Sequence, residues 1–262
     1  MMKISLLNKN ALVGGSTQGL GKAIALQLAA CGANVTLLAR NEEKLIQTVG
    51  ELNTDFGQKH RCLIADFTQF EAFERIVSDF FADNTIDILV NNTNGPEAGG
   101  VLDKGVKDYQ KAFDLLFKTV CHTTLEALPN MQKSKFGRII NVSSVTTKEP
   151  LPHLVLSNSI RTALGSWAKT LATEVAKDNI TVNTILTGYF DTERLQHVMQ
   201  AQALSKNETL DAVRQNTLNQ IPTKRLGKPE EFAYLVAFLA SDYASFITGA
   251  NIPIDGGLLK SV

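Results

Sequence analysis

The chain has 262 residues, of which 44% are hydrophobic and 20% are charged, a composition typical of folded globular proteins rather than of disordered chains. Lysine and arginine total 26, as do aspartate and glutamate, so no basic field favours nucleic acid or an anionic membrane surface as a partner. We therefore expect a small acidic or neutral molecule as the ligand.

The three cysteines, Cys31, Cys62 and Cys121, form no CxxC pair and have no adjacent histidine set, which predicts core thiols rather than metal ligands. The N-terminal segment MMKISLLNKNALVGG has too short an apolar run for a signal peptide and no small-residue cleavage site. No window approaches the ~20 apolar residues that span a bilayer. These features predict a cytoplasmic protein with no metal site.

Apolar runs of strand length alternate with longer segments of helical period, which is the pattern of repeated βαβ units around a parallel sheet. The seven predicted strands begin at Ala11, Asn34, Arg61, Ile86, Arg138, Thr181 and Ala250. The helices predicted between them cover 23–30, 42–52, 69–82, 108–133, 157–176 and 230–239. We therefore predict an α/β fold, a single doubly wound domain over residues 1–262.

The segment 190–222 follows the sixth predicted strand and is polar with a helical period. Its position predicts a helical lid at the carboxyl edge of the sheet, where ligands of such sheets bind. Its apolar stripe fits a lid over an apolar substrate, ordinary packing or a subunit contact, and consists of Leu195, Val198, Met199, Leu204, Leu210 and Val213. The cations on and just after this segment are expected to face solvent rather than an anionic carrier or coenzyme, and are Arg194, Lys206, Arg214, Lys224 and Arg225.

The first strand is followed by the turn GGSTQGLG, from Gly14 to Gly21, and then by a helix. Glycines at these positions permit a tight turn and a close approach of the helix to the sheet. The N-terminus of the helix is then free to hold a pyrophosphate. The turn predicts a dinucleotide site rather than a merely structural bend.

The end of the second strand reads LARN, with Ala39 where an acidic residue would bind the ribose hydroxyls of NAD. Arg40 then offers a guanidinium fork to a 2′-phosphate, and Thr17 or Ser16 offers a hydroxyl. In the competing interpretation Arg40 is an ordinary solvated residue at the start of a helix. The missing acid favours NADP(H) over NAD(H) as the cofactor.

The spacing GxxxGxG, from Gly15 to Gly21, is accompanied by further motifs in order along nearly the whole chain. These are ADF at Ala65, LVNN at Leu89, GRIINVSS at Gly137, RLGKPEE at Arg225, FLASD at Phe238, ITG at Ile247 and DGG at Asp255. Together they resemble the classical short-chain dehydrogenase/reductase family, and in pattern most closely the 3-oxoacyl-acyl-carrier-protein reductases. The resemblance implies a Rossmann fold and an NAD(P)-dependent oxidoreductase acting on CH-OH/C=O groups.

By this resemblance, Asp66 accepts a hydrogen bond from the adenine amino group, and Asn91 fixes the sheet beside the adenine ribose. The competing interpretation is that Asp66 caps the next helix. The predicted cofactor-binding residues are Gly15, Ser16, Thr17, Gly19, Leu20, Gly21, Arg40, Asp66, Phe67, Asn91, Arg161 and Gly188.

The resemblance also implies four catalytic positions, and only Ser144 matches the family there. Counting thirteen residues on from Ser144 places Ser157 in the tyrosine position, and four more place Arg161 in the lysine position. The asparagine position falls at about Leu116. A serine hydroxyl is a far weaker acid than a phenol, whose pKa is about 10, so Ser157 should not be the proton donor. Arg161 can reach ribose hydroxyls but does not deprotonate.

A substitute proton donor must lie near the ends of the fifth or sixth strand. Tyr189 has suitable chemistry, His153 has a suitable ordinary pKa, and Lys148 lies in the same loop as His153. Simple packing of Tyr189 and solvation of the other two are the competing interpretations. The predicted catalytic residues are Ser144, Ser157, Arg161 and Tyr189.

Three functions remain open from the sequence. The first is an NADPH-dependent reductase of a small carbonyl compound or 3-oxoacyl thioester, with proton delivery by one of these residues or by water. The second is a catalytically impaired NADP(H)-binding relative that acts as a sensor or partner subunit. The third is an elimination or isomerisation in which Arg161 binds an anion. The two long helices resemble those of the family's subunit interfaces, which implies a homotetramer or homodimer.

Overall fold

The computed structural model describes residues 3–261, without the side chain of Ser205. The strands are β1 (Asn10–Gly14), β2 (Asn34–Ala39), β3 (Arg61–Ile64), β4 (Ile88–Asn91), β5 (Gly137–Ser144), β6 (Ile180–Thr187) and β7 (Asn251–Ile254). They form one seven-stranded parallel sheet in the order β3-β2-β1-β4-β5-β6-β7. The predicted strands and the doubly wound sheet are confirmed. The order reverses between β1 and β4, where a crevice opens at the carboxyl ends of the strands.

The helices are α1 (Gly19–Ala30), α2 (Glu42–Gly50), α3 (Phe70–Asp83), α4 (Val106–Phe113), α5 (Thr119–Ser134), α6 (Val155–Val175), α7 (Glu193–Lys206), α8 (Leu210–Gln220) and α9 (Pro229–Ala240). The helix predicted over 108–133 is divided, because a π-helical segment, Asp114–Lys118, joins α4 to α5. Such insertions are frequent at functional sites. Leu116 lies in this segment and is buried.

Apolar side chains pack on both faces of the sheet. On one face α1 and α9 bury Ile24 and Phe232 against the strands. On the other face α3 and α5 bury Phe73 and Met131. Burial on both faces explains why β1 and β4 contain the continuous apolar runs ALV and ILV rather than alternating residues. None of the helices described within residues 3–261 is long and apolar enough to cross a membrane.

The segment 190–222 forms α7 and α8, as its period predicted. The predicted stripe divides between the interior and the surface. Met199 and Val213 are buried with Ala203, and Leu195 packs against them. The members of the stripe that are exposed are Val198, Leu204 and Leu210. Packing between α7 and α8 therefore accounts for half of the stripe, and the role of this segment as a lid stays a prediction.

Candidate functional site

The turn between β1 and α1 depends on its glycines. Gly15 and Gly19 have φ values of +56° and +54°, in the left-handed region that side chains rarely adopt. A Cβ atom on Gly21 would lie 2.2 Å from the carbonyl oxygen of Gly15, so α1 can approach the turn only with glycine there. The turn therefore presents backbone, rather than side chains, to the crevice.

The N-terminus of α1 is not capped by a protein side chain. Gln18 occupies the N-cap position without a side-chain hydrogen bond to the helix, and the first turn contains no acidic residue. The first backbone N–H groups of a helix have no partner within the helix and carry its positive partial charge. This end of α1 therefore fits an anionic group such as a pyrophosphate.

Two neighbouring asparagines fix the turn and the crevice. Asn92 donates a hydrogen bond from Nδ2 to the carbonyl oxygen of Gly14 at 3.0 Å. Asn91 is buried and donates from Nδ2 to Thr124 Oγ1 at 3.0 Å and to Asn141 Oδ1 at 2.9 Å. Asn91 thus ties β4 to β5 and α5, and its place beside the adenine ribose stays a prediction. The role of Asn92 was not predicted, although the motif LVNN contained it.

The ends of β2 and β3 bring Arg40 and Asp66 together, with 3.8 Å between Nη1 and Oδ2. The Arg40 side chain is 65% exposed, so this ion pair holds it only weakly. Asp66 Oδ1 accepts hydrogen bonds from the backbone N of Thr68 at 2.9 Å and from its Oγ1 at 2.8 Å. Asp66 thus stabilises a turn, whereas Gln69 is the N-cap residue of α3. Arg40 remains accessible to a phosphate.

The remaining predicted cofactor residues differ in how far they are buried. The Ser16 hydroxyl is fully buried and has no hydrogen-bond partner among the described residues, whereas Thr17 is half-buried. Of the two, Thr17 has the hydroxyl that a ligand can reach. Phe67 is buried, with its ring 5.2 Å from that of Phe73. The half-buried residues are Leu20 and Gly188.

Ser144 ends β5 and is half-buried. Its Oγ accepts hydrogen bonds from the backbone N of Thr146 at 3.2 Å and from Thr146 Oγ1 at 3.0 Å. This pattern leaves the proton of the Ser144 hydroxyl free to be donated to a carbonyl oxygen. Ser144 is therefore held in a fixed orientation at the carboxyl edge of the sheet.

Arg161 on α6 donates a hydrogen bond from Nη1 to the carbonyl oxygen of Val142, two residues before Ser144, at 2.7 Å. Ser157 lies one helical turn nearer the N-terminus of α6, a rise of about 6 Å, and the same face of the helix carries both residues. Ser157 is half-buried, and its hydroxyl has no partner among the described hydrogen bonds. The predicted spacing of four residues between Ser157 and Arg161 on α6 is thus compatible with the hydrogen bond from Arg161 to Val142 of β5.

The three substitute donors differ in environment. Tyr189 is half-buried, and burial raises the pKa of its phenol. A general acid works best with a pKa near the operating pH, so this shift is in the unfavourable direction. His153 and Lys148 are exposed. None of the three contacts Ser144 or Arg161 through a described hydrogen bond, and their catalytic roles stay predictions.

The lid segment contributes two residues that the sequence reasoning did not place at the crevice. A Cβ atom on Gly19 would lie 3.4 Å from Thr192 Cγ2, so the start of α7 lies over the glycine turn. A Cβ atom on Gly95 would lie 2.6 Å from Arg194 Nη2, so this guanidinium rests on the loop that follows β4. Nothing in the local sequence indicated these contacts. Arg194 was therefore expected to face solvent.

The doubly wound sheet, the glycine turn and the uncapped N-terminus of α1 at the switch point define a dinucleotide-binding α/β protein. Residues 15–259 match the family described as enoyl-(acyl carrier protein) reductase. The chain belongs to the short-chain dehydrogenase/reductase family.

Relatives support this assignment over the full length. An uncharacterized oxidoreductase of Bacillus subtilis is 34% identical over 266 residues, which cover 100% of each chain. A 3-oxoacyl-(acyl-carrier-protein) reductase of Aquifex aeolicus is 32% identical, with 98% of this chain and 100% of the relative covered. The crystal structure of L-sorbose reductase from Gluconobacter frateurii, complexed with NADPH and L-sorbose, is similar with a TM-score of 0.92, 29% identity and 100% of each chain covered.

Proposed function

We propose that this chain is an atypical NADP(H)-dependent oxidoreductase that acts on a small carbonyl or 3-oxoacyl-type substrate. The observation that carries the proposal is the uncapped N-terminus of α1 at the glycine turn. The neighbouring strand β2 ends without an acidic residue and is followed by Arg40, whose side chain is accessible. The presence of NADPH in the sorbose reductase structure supports the same cofactor.

When bound, the cofactor exchanges a hydride with the substrate carbon, and reduction then requires one proton at the carbonyl oxygen. Ser144 would donate a hydrogen bond to that oxygen, because its hydroxyl proton is free and its orientation is fixed. Arg161 has five N–H donors, of which one nitrogen contacts Val142, and the remaining donors would bind ribose hydroxyls and leave others for the substrate. Ser157 is too weak an acid to supply the proton, which leaves Tyr189, His153, Lys148 or a bound water as its source.

The proposal is tested with a panel of ketones, quinones and 3-oxoacyl thioesters. We expect at least one of them to oxidise NADPH above the rate without enzyme, measured as loss of NADPH absorbance. Ser144→Ala should reduce that rate without changing the affinity for NADPH, since Ser144 acts on the substrate oxygen. If no member of the panel oxidises NADPH, the assignment as a carbonyl reductase is wrong.

A second candidate function is an NADP(H)-binding sensor or partner subunit with impaired catalysis. The observations that favour it are Ser157 in the tyrosine position and the raised pKa of Tyr189, which make both residues poor general acids. Such a protein would bind NADPH in a titration and show no turnover with the panel.

The homotetramer or homodimer and the cytoplasmic location stay predictions. Sedimentation analysis would measure the oligomeric state.

Replacement of Arg40 tests the choice of cofactor. Arg40→Ala should weaken NADPH binding about tenfold, near the lower end of the range for hydrogen bonds to charged groups because the side chain is exposed. NADH binding should be unchanged, since NADH has no 2′-phosphate. Both dissociation constants can be measured by fluorescence titration.

The matched control is Arg75→Ala, which removes the same charge from an exposed position on α3. It should leave both dissociation constants unchanged. An equal loss of NADPH and NADH affinity in Arg40→Ala would contradict a phosphate contact and return Arg40 to an ordinary solvated position.

A further inference from the structure

Two guanidinium groups border the crevice from different elements. Arg161 on α6 is held at the carbonyl oxygen of Val142, near the end of β5, and Arg194 on α7 rests on Gly95 in the loop after β4. Strands β4 and β5 are direct neighbours, with Asn91 paired to Asn141. Both cations therefore lie over the same part of the carboxyl edge.

Neither cation is neutralised by the protein. Within residues 3–261, the described ion pairs include no carboxylate partner for Arg161 or Arg194. Burial lowers the pKa of Arg161 to about 10, and the charge of Arg194 contributes to the same shift. Burial also lowers the pKa of Arg194. Two partly desolvated like charges cost free energy unless an anion lies between them or beside them.

The cofactor's phosphates have other partners in the proposed arrangement. The N-terminus of α1 and Arg40 serve the pyrophosphate and the 2′-phosphate, and both lie on the β1–β2 side of the switch point. The two guanidinium groups contact β5 and the loop after β4, on the side where the substrate would meet Ser144, whereas Thr192, two residues before Arg194, is the part of this segment that lies over the glycine turn. An anion on this side would therefore belong to the substrate.

We propose that Arg161 and Arg194 together bind a carboxylate or phosphate group of the substrate, which is then an anionic carbonyl compound. The planar fork of arginine suits paired hydrogen bonds to such oxygens, which a lysine in the position of Arg161 would not provide. The inference rests on the proposed function, because it names the class of substrate for the same site.

The test is isothermal titration of the full chain, saturated with NADP⁺, with malonate and with inorganic phosphate at constant ionic strength. Malonamide serves as the neutral analogue of malonate. We expect at least one of the anions to bind saturably and malonamide not to bind. Arg194→Gln should weaken anion binding at least about tenfold, the loss of one charged hydrogen-bonding partner, and leave the affinity for NADP⁺ within about twofold.

Two further variants make the test specific. Arg161→Lys retains the charge but loses the fork, so it should weaken the same anion by a smaller factor than Arg194→Gln. Arg75→Gln on α3 removes an equal charge from the surface away from these contacts and should change nothing. Thermal unfolding of each variant verifies that it is folded under the conditions of the titration.

The inference is overturned if neither anion binds the native protein, if malonamide binds as well as malonate, or if Arg194→Gln leaves anion binding unchanged. A loss of NADP⁺ affinity with unchanged anion affinity would assign Arg194 to the cofactor instead.

The titration measures binding and does not require the protein to turn over a substrate. Anion binding by a protein without reductase activity would refute the proposed function alone, whereas an active reductase that binds no anion would refute only this inference.

Discussion

The double replacement Ser157→Tyr and Arg161→Lys should raise the rate of reduction of a neutral ketone by about 10²–10⁴-fold, the range that a positioned general acid contributes. A phenol has a pKa of about 10, and an adjacent ammonium group lowers it towards neutral pH, whereas the serine hydroxyl cannot be brought into that range. The measurement is NADPH consumption with the same ketone for both proteins.

The geometry of α6 favours this result. Residues 157 and 161 lie on one face of the helix, and Arg161 reaches Val142 O at the end of β5. Ser157 is half-buried one turn nearer the N-terminus of α6, towards which helical Cβ atoms point, so we expect a longer side chain there to extend towards the end of β5. Introducing the pair therefore adds an acid and exchanges the guanidinium beside it for an ammonium group, in a site in which the hydrogen-bonding serine is already in place.

The matched control is Ser157→Phe with Arg161→Lys, which adds a similar aromatic ring without the hydroxyl. This variant should not reduce the ketone faster than the native protein. The same experiment separates the two candidate functions. If the native protein is inactive and the tyrosine variant reduces the ketone, the result supports the second candidate function, an NADP(H)-binding protein with impaired catalysis. Loss of an activity that the native protein has on its own substrate shows that Ser157 and Arg161 are functional as they stand. An equal gain in the phenylalanine variant would contradict the role of the phenol.

The replacement Gly21→Ala should abolish detectable NADPH binding and destabilise the fold by about 1–3 kcal/mol, the usual cost of an added methyl group in a packed site. The new Cβ atom would lie 2.2 Å from the carbonyl oxygen of Gly15 and 2.8 Å from Asn92 Nδ2. Because the first obstacle is backbone, α1 must move away from the turn, and its N-terminal N–H groups move with it. Urea unfolding and NADPH titration measure the two effects.

Gly50→Ala is the control for a change of glycine to alanine in a helix. Gly50 ends α2, and a Cβ atom there would meet no atom within 4 Å apart from its chain neighbours and the backbone of its own helix. This variant should be as stable as the native protein or slightly more stable, because alanine favours the helix. Full NADPH binding by a stable Gly21→Ala protein would contradict the close approach of α1 to the turn.

The fold could be predicted from the sequence because its signals are local. Strands buried on both faces require apolar runs, and the helices between them require apolar residues at helical spacing, so each segment indicated its own structure. The break between α4 and α5 was not predicted. A π-helical turn changes hydrogen bonds by one residue and has no characteristic residue type, so the run DLLFK did not reveal it.

The sequence by itself determined the parts of the site that lie within one turn of the chain. The glycine spacing, the lack of an acid after β2 and the one-face relation of Ser157 to Arg161 are all set by short separations. Only the tertiary structure decided that Asn92 supports Gly14, 78 residues away, and that Arg194 lies over the loop after β4. These contacts follow from the strand order and from the path of α7 across the carboxyl edge. Both are set by packing between distant segments, which no local pattern encodes.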